Sequence, residues 1–291
     1  MLRDELIRTL AADSTLSVRV LSASNLVREA AHRHRTSPAA TVALGRALMG
    51  GLLLASESSP DLRVQLHFRA RGPLGPVLVT ADGGGRVRGY VTNPTIETLP
   101  EGPHLGVATA LGLGELAVER MRAGWKRPYS GIVPMANGEI AEDLALYLLE
   151  SEQKPSALAL GLYLGPGGEV EAAGGYLVQA LPGTDASHLV RVEERVRDNS
   201  NPSEQFRSGT SCHQMLEQLL SDTGHGAIDH SQPRFHCGCD RSRVLRAATL
   251  LGKKEIREIV EANEDLEVRC SWCAEVYRLT ADQLGATLHD A

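Results

Sequence analysis

Aromatic residues are scarce, 4% of 291, so the sequence has little from which to build the stacking platforms of single-strand nucleic-acid binders. It has no basic excess either. The net charge of −6 argues against a protein that holds phosphate backbones by displacing counterions. No long uninterrupted apolar run is present: the most apolar stretch, Ala39 to Ala55, contains Arg46 and several glycines and reads as too short and too broken for a membrane span. Met1-Leu2-Arg3-Asp4-Glu5-Leu6 mixes acids with apolar residues and lacks the pattern of a secretory signal. Cysteine is absent before Cys212, and the five that follow are an odd number gathered near one end, unlike a secreted disulfide scaffold. A cytoplasmic, thiol-reducing setting is therefore expected, with neither nucleic acid nor membrane as a partner. Also missing are a serine–histidine–acid arrangement, a Walker loop and a dinucleotide fingerprint, and no enzyme activity is expected. Asp82-Gly83-Gly84-Gly85 could cradle a phosphate, but no apolar helix opens behind it, so it reads as a hairpin turn.

What is present is a foldable globular sequence. Hydrophobic residues make up 42% and charged residues 23%, enough to bury a core, and the length suits about two domains. The fold class expected is α+β, with a mixed α/β domain over residues 1–182. Leu16, Val18 and Val20 alternate with polar residues as a half-buried strand does. Ser24 or Asn25 is placed to cap a helix running to about His34. Ser37-Pro38 opens another, apolar and small-residued, which belongs in the core. Leu62, Val64, Leu66 and Phe68 alternate with polar residues, and Val77–Val79 and Val87–Val91 flank the glycine turn. A helix is predicted over Ile140–Glu150, and a strand pair around Pro166-Gly167-Gly168.

Pro182-Gly183 marks a change of composition. Residues 183–235 read as a helical linker with two short amphipathic helices, one carrying Leu189, Val192 and Val196, the other Met215, Leu216, Leu219 and Leu220. Polar turns, including Asn199 to Ser203, separate them. Such helices cannot form a core alone and must dock on another surface, weakly.

The last segment, 236–291, carries Cys237-Gly238-Cys239 and Cys270-Ser271-Trp272-Cys273. Four thiolates satisfy the tetrahedron that zinc prefers, and two close pairs can each clasp one edge of it, so one zinc per chain is expected in the reduced state. Permanent disulfides and a thioredoxin-like redox pair are the alternatives; a cytosolic setting disfavours the first, and the nearby second pair the other. His236 adjoins the first pair, but four sulfurs already fill the site. Cys212 sits in a predicted helix and reads as a packed small hydrophobe. Between the pairs, Asp240 caps a helix to Leu251, Gly252 ends it, and Lys253–Ala262 forms a second. Strands are predicted around Leu266–Arg269 and Val276–Leu279, and Thr280 with Gln283 has capping-box spacing.

At these residues the chain resembles a family, the bacterial redox-regulated heat-shock chaperones of about thirty-three kilodaltons. The cysteine pattern carries the likeness most specifically. Ile140-Ala141-Glu142-Asp143-Leu144, Ser151-Glu152-Gln153 and Gly174-Gly175-Tyr176-Leu177-Val178-Gln179-Ala180-Leu181-Pro182 extend it over the whole chain. The resemblance implies an ATP-independent holdase for unfolding client proteins, silent while reduced and zinc-bound. It implies oxidation to the disulfides Cys237–Cys239 and Cys270–Cys273, loss of zinc, unfolding of the zinc domain and linker, and a homodimer in the oxidised state. A constitutive zinc-stabilised binding module and a thiol–disulfide oxidoreductase are the rival readings.

Overall fold

The computed structural model describes residues 3–57, 59–96, 107–184, 190 and 194–288. The chain forms two compact units, Met1–Phe235 and His236–Ala291.

The first unit is built on two sheets. One has five antiparallel strands in the order β10-β1-β2-β9-β8, where β1 is Glu5–Leu10, β2 Leu16–Ser22, β8 Ser156–Leu164, β9 Val170–Ala180 and β10 Asp229–Ser231. The other has the order β11-β5-β4-β3-β6-β7, with β3 Arg63–Ala70, β4 Val77–Asp82, β5 Arg86–Val91, β6 Gly114–Met121, β7 Tyr129–Pro134 and β11 Arg234–Phe235. Helix α1 (Ser24–His34) leads into α2 (Pro38–Ala55), which lies between the sheets. A helix apolar on all sides has to be covered on all sides. α2 is the one described helix long and apolar enough to cross a membrane, and 89% of it is buried inside the unit. Its glycines set the approach of both layers. A Cβ on Gly45 would come within 2.6 Å of Leu162 on β8, and one on Gly51 within 3.0 Å of Val79 on β4.

The helix predicted from Ile140 spans Ala141–Glu150. Asp143, fully buried, accepts the amides of Asn137, Gly138 and Ile140, which holds Ile140 at φ 70 in the left-handed region. The expected cap of α1 is corrected. Neither Ser24 nor Asn25 caps it; Asp4 does, accepting from the amides of Asn25 at 2.9 Å and Leu26 at 2.6 Å. Burial raises the Asp4 carboxyl above its ordinary value, and those amides oppose the rise.

Residues 194–231 cover the outer face of the first sheet. Residues 190 and 194–198 are helical, as are Pro202–Arg207 and Cys212–Leu219. Leu189 and Val192, expected on the first helix, lie outside the described residues. Pro202 and Ser203, read from sequence as part of a polar turn, instead open a helix with proline in its first turn, and that helix carries Phe206. Further on, β10 extends the first sheet beside β1, and β11 runs parallel to β5 at the edge of the second.

The second unit is small. Helices Arg241–Ala248, Lys253–Glu261 and Ala281–Thr287 pack with the hairpin of β12 (Leu266–Arg269) and β13 (Val276–Leu279) around Val244, Ala248, Ile256, Leu279 and Leu284. Asp240 accepts the Arg243 amide at 2.8 Å, and Thr280 with Gln283 closes the capping box that its spacing predicts.

Candidate metal centre and the covered sheet face

Cys237 and Cys239 precede the Arg241–Ala248 helix, and Cys270 and Cys273 occupy the turn between β12 and β13. The hairpin places the second pair: Cys270 N–H donates to the Glu275 carbonyl at 2.9 Å, Ala274 N–H to the Cys270 carbonyl at 2.8 Å, and Ala274 takes φ 58 to reverse the chain. Arg243 anchors the first pair by donating to the Gly238 carbonyl at 2.6 Å.

All four Sγ atoms lie within 4.8 Å of one another. Cys237 and Cys270 are 3.9 Å apart, and Cys239 and Cys273 3.4 Å. A tetrahedron with metal–sulfur bonds of about 2.3 Å has edges of about 3.8 Å. The four sulfurs could therefore hold one metal ion, and no other such cluster occurs among the described residues. Donor chemistry agrees. Burial raises the thiols of Cys270 and Cys273 above their ordinary range, so four thiolates in this space need a cation to offset their charge. Tyr277 supplies a contact with no sign in the sequence, its hydroxyl 3.2 Å from Cys239 Sγ, an outer hydrogen bond of the kind that orients metal ligands. His236 is exposed and outside the cluster, and Cys212 lies far along the chain in the first unit.

The second feature is the sheet face under residues 194–231. Val18 and Val20 of β2 and Ala172, Tyr176 and Val178 of β9 are buried against Phe206, Met215, Leu216 and Leu219. Cys212 joins this cluster at 2% exposure, and burial pushes its thiol up to about 12. Two paired glycines admit the Pro202–Arg207 helix. Gly161 on β8 sits opposite Gly174 on β9, and a Cβ on either would lie 2.4 Å from Ser203 N or the Phe206 ring. Tyr176, raised above the ordinary phenol range by burial, donates its hydroxyl to the carbonyls of Val196 and Asn199. Of these residues, Met215, Leu216, Leu219 and Leu220 were legible as an amphipathic face. Phe206 was not, although Pro202 four positions before it marks a helix start.

Comparison with known proteins bears on the whole chain. Residues 4–280 match the model of a family described as Hsp33 protein. A 33 kDa chaperonin of Geobacter sulfurreducens is 38% identical over 285 residues, covering 98% of this chain and 94% of that protein. One from Nostoc punctiforme is 40% identical over 292 residues, covering 99% and 96%. The crystal structure of the Thermotoga maritima 33 kDa chaperonin, a heat shock protein 33 homolog, superposes with a TM-score of 0.91 at 31% identity over 99% of both chains.

Proposed function

The chain belongs to the Hsp33 family of chaperones, and from that premise we propose that it is an ATP-independent holdase switched on by oxidation of its four clustered cysteines. The observation that carries the reading is the convergence of four sulfurs in a unit whose own apolar core is small. Cys237, Cys239, Cys270 and Cys273 are the ligands we assign to one zinc ion. When bound, zinc would hold the sulfurs as thiolates, the form that reacts with oxidants, and tie the start of the unit to its hairpin turn.

Each pair of cysteines adjacent in sequence then gives two electrons to a peroxide-class oxidant, forming one S–S bond and releasing water. We assign the bonds as Cys237–Cys239 and Cys270–Cys273. Either bond withdraws two donors from the tetrahedron. The helices of residues 241–261, which share so few buried contacts, then lack what folds them. We divide the chain functionally at 1–182, 183–235 and 236–291. In this division the middle part is the cover that loosens when its C-terminal neighbour unfolds. Its release bares Val18, Val20, Tyr176 and Val178, an apolar sheet face suited to unfolding client proteins. Two such faces also favour a homodimer in the oxidised state. No step needs a nucleotide or a catalytic residue. The cytoplasm, where thiols are kept reduced until stress, suits the switch, and the acidic charge of −6 suits neither nucleic acid nor anionic membrane as partner.

The test is peroxide treatment followed by two assays, suppression of client aggregation without ATP and reduction of insulin. Protection by the oxidised protein alone, without insulin turnover, is the expected result. Equal protection by both redox states would replace the switch with a constitutive binding module, and insulin turnover would point to an oxidoreductase.

A further inference from the structure

Four cations and three carboxylates meet beside β2. Arg8 pairs with Asp229 at 2.9 Å, and Arg120 with Glu57 at 2.8 Å and Glu152 at 2.6 Å. Lys154 reaches Glu152 at 3.1 Å and also contacts Glu57. Arg19, on β2, makes no ion pair among the described residues although it is only 3% exposed. Its Nη1 donates to Gln179 Oε1 at 2.6 Å, Nη2 lies 3.5 Å from Ser17 Oγ, and the buried Nε has no acceptor. Burial lowers the guanidinium to about 10, so at neutral pH it remains a cation. Glu57 and Glu152 act on it from a distance and oppose that fall, but neither forms an ion pair with it; a buried cation held by neutral partners alone is costly.

Arg19 lines two neighbouring cavities of about 620 and 540 Å³, both also bordered by Ser17, Leu10 and Glu57. The larger is walled by Pro155, Leu181 and Pro182. Two stretches singled out in the sequence for their family likeness border it, through Gln153 and through Gln179 to Pro182; the proposed redox switch uses Tyr176 and Val178 of the second stretch but none of these lining residues.

We propose that this cavity binds a small organic carboxylate, its carboxylate on Arg19 and its aliphatic body against Leu181 and Pro182. Four cations against three carboxylates leave the cluster with a net charge of +1, which a monoanion offsets. With Nη1 held by Gln179 and Nε buried, Nη2, whose contact with Ser17 Oγ is long at 3.5 Å, is the group a ligand carboxylate would take. The volume falls within the range of small-molecule sites, and walls of leucine and proline favour an aliphatic ligand over a hydrated phosphate. The site does not depend on the redox reading, because it is formed within the first unit of the reduced chain.

Calorimetric titration of the reduced, full-length protein tests it, with hexanoate, hexanamide and inorganic phosphate as probes. Hexanoate should bind saturably, and hexanamide and phosphate about ten-fold more weakly or worse, the loss expected for a charge-assisted pair. Arg19→Gln should lose hexanoate binding by a similar factor while keeping its far-ultraviolet circular dichroism, since it removes a buried charge that no ion pair holds. Ser17→Leu narrows the cavity and leaves the charge in place, and it should block hexanoate as well, so the test stands if Arg19→Gln fails to fold. Absence of saturable hexanoate binding would overturn the proposal, as would hexanamide or phosphate binding equal to hexanoate's, or wild-type affinity in the folded variants.

Discussion

The cover over the first sheet and the sulfur-bearing unit both bury apolar side chains, but on different scales. Among the described residues, the cluster between β2, β9 and the cover holds fourteen buried members, six of them from residues 206–220. The cluster of residues 236–291 holds five. The first is a sheet face and a layer of helices that interlock through a glycine notch. The second is a thin core closed at one end by four sulfurs. Area and shape hold the cover, whereas the second unit is poised on its donor set. On the proposed reading, a chemical event at the sulfurs unfolds that unit while leaving the sheets beneath the cover intact.

The most direct way to break this comparison is to remove donors. Cys270→Ser with Cys273→Ser should abolish metal binding, a loss of about 10–16 kcal/mol judged from zinc-finger peptides. Metal analysis should find no zinc. Amide exchange over residues 241–288 should approach that of an unfolded chain, with β2 and β9 still protected. Retained protection in the helices of residues 241–261 would mean that the five-residue core suffices, and the contrast would fail.

The opposite manipulation loosens the cover and leaves the sulfurs alone. Phe206→Ala removes a ring seated on Gly174 and should cost about 3–5 kcal/mol. Gly161→Ala adds a methyl 2.4 Å from Ser203 N, a backbone atom that cannot step aside alone, and should cost about 1–3 kcal/mol. Both variants should keep one zinc per chain, exchange faster over residues 202–219, and protect a client partly while still reduced, Phe206→Ala more than Gly161→Ala. Client protection that stays fully oxidant-dependent in both would separate the cover from the binding face.

The two regions also differed in how much of them could be read from sequence. In the second unit the cysteine pairs, the Asp240 cap, the Thr280–Gln283 box and the β12–β13 hairpin all rest on neighbours a few residues apart, and these are local signals. In the first unit, α2 announced itself by being apolar all round. β1, β6, β7, β10 and β11 did not. β6, Gly-Glu-Leu-Ala-Val-Glu-Arg-Met, is rich in helix-favouring residues and is a strand because β3 and β7 pair with it on either side. β10 and the Asp4 cap depend on partners distant in sequence, Ile7 with His230 and Asp4 with Asn25, and leave no periodic trace. Arg19 was hidden for the same reason: its isolation is a property of three dimensions.

The smallest expected effect sharpens the comparison through the fifth cysteine. Cys212 is a thiol of the cover, not of the metal site: its Sγ is 3.6 Å from the Glu5 carbonyl, and it packs beside Met215 and Leu216. Cys212→Ala should leave zinc content and the oxidant dependence of client protection unchanged. Its signature lies in alkali. Burial, the largest influence, raises the thiol from 9.0 to about 12, so the folded state keeps a proton that the unfolded chain releases earlier. The stabilisation from a buried neutral thiol is thus complete below pH 9 and is lost as pH climbs towards 12, at a rate on the order of 1 kcal/mol per pH unit. Tyr176 is raised as well and would add to the decline above pH 10, but it is common to both proteins. The difference between wild type and Cys212→Ala in urea midpoints from pH 8 to 11 therefore isolates the thiol. Wild type should lose stability faster above pH 9, and parallel curves would mean that Cys212 opens to solvent in the reduced protein, making the cover looser than its buried cluster implies.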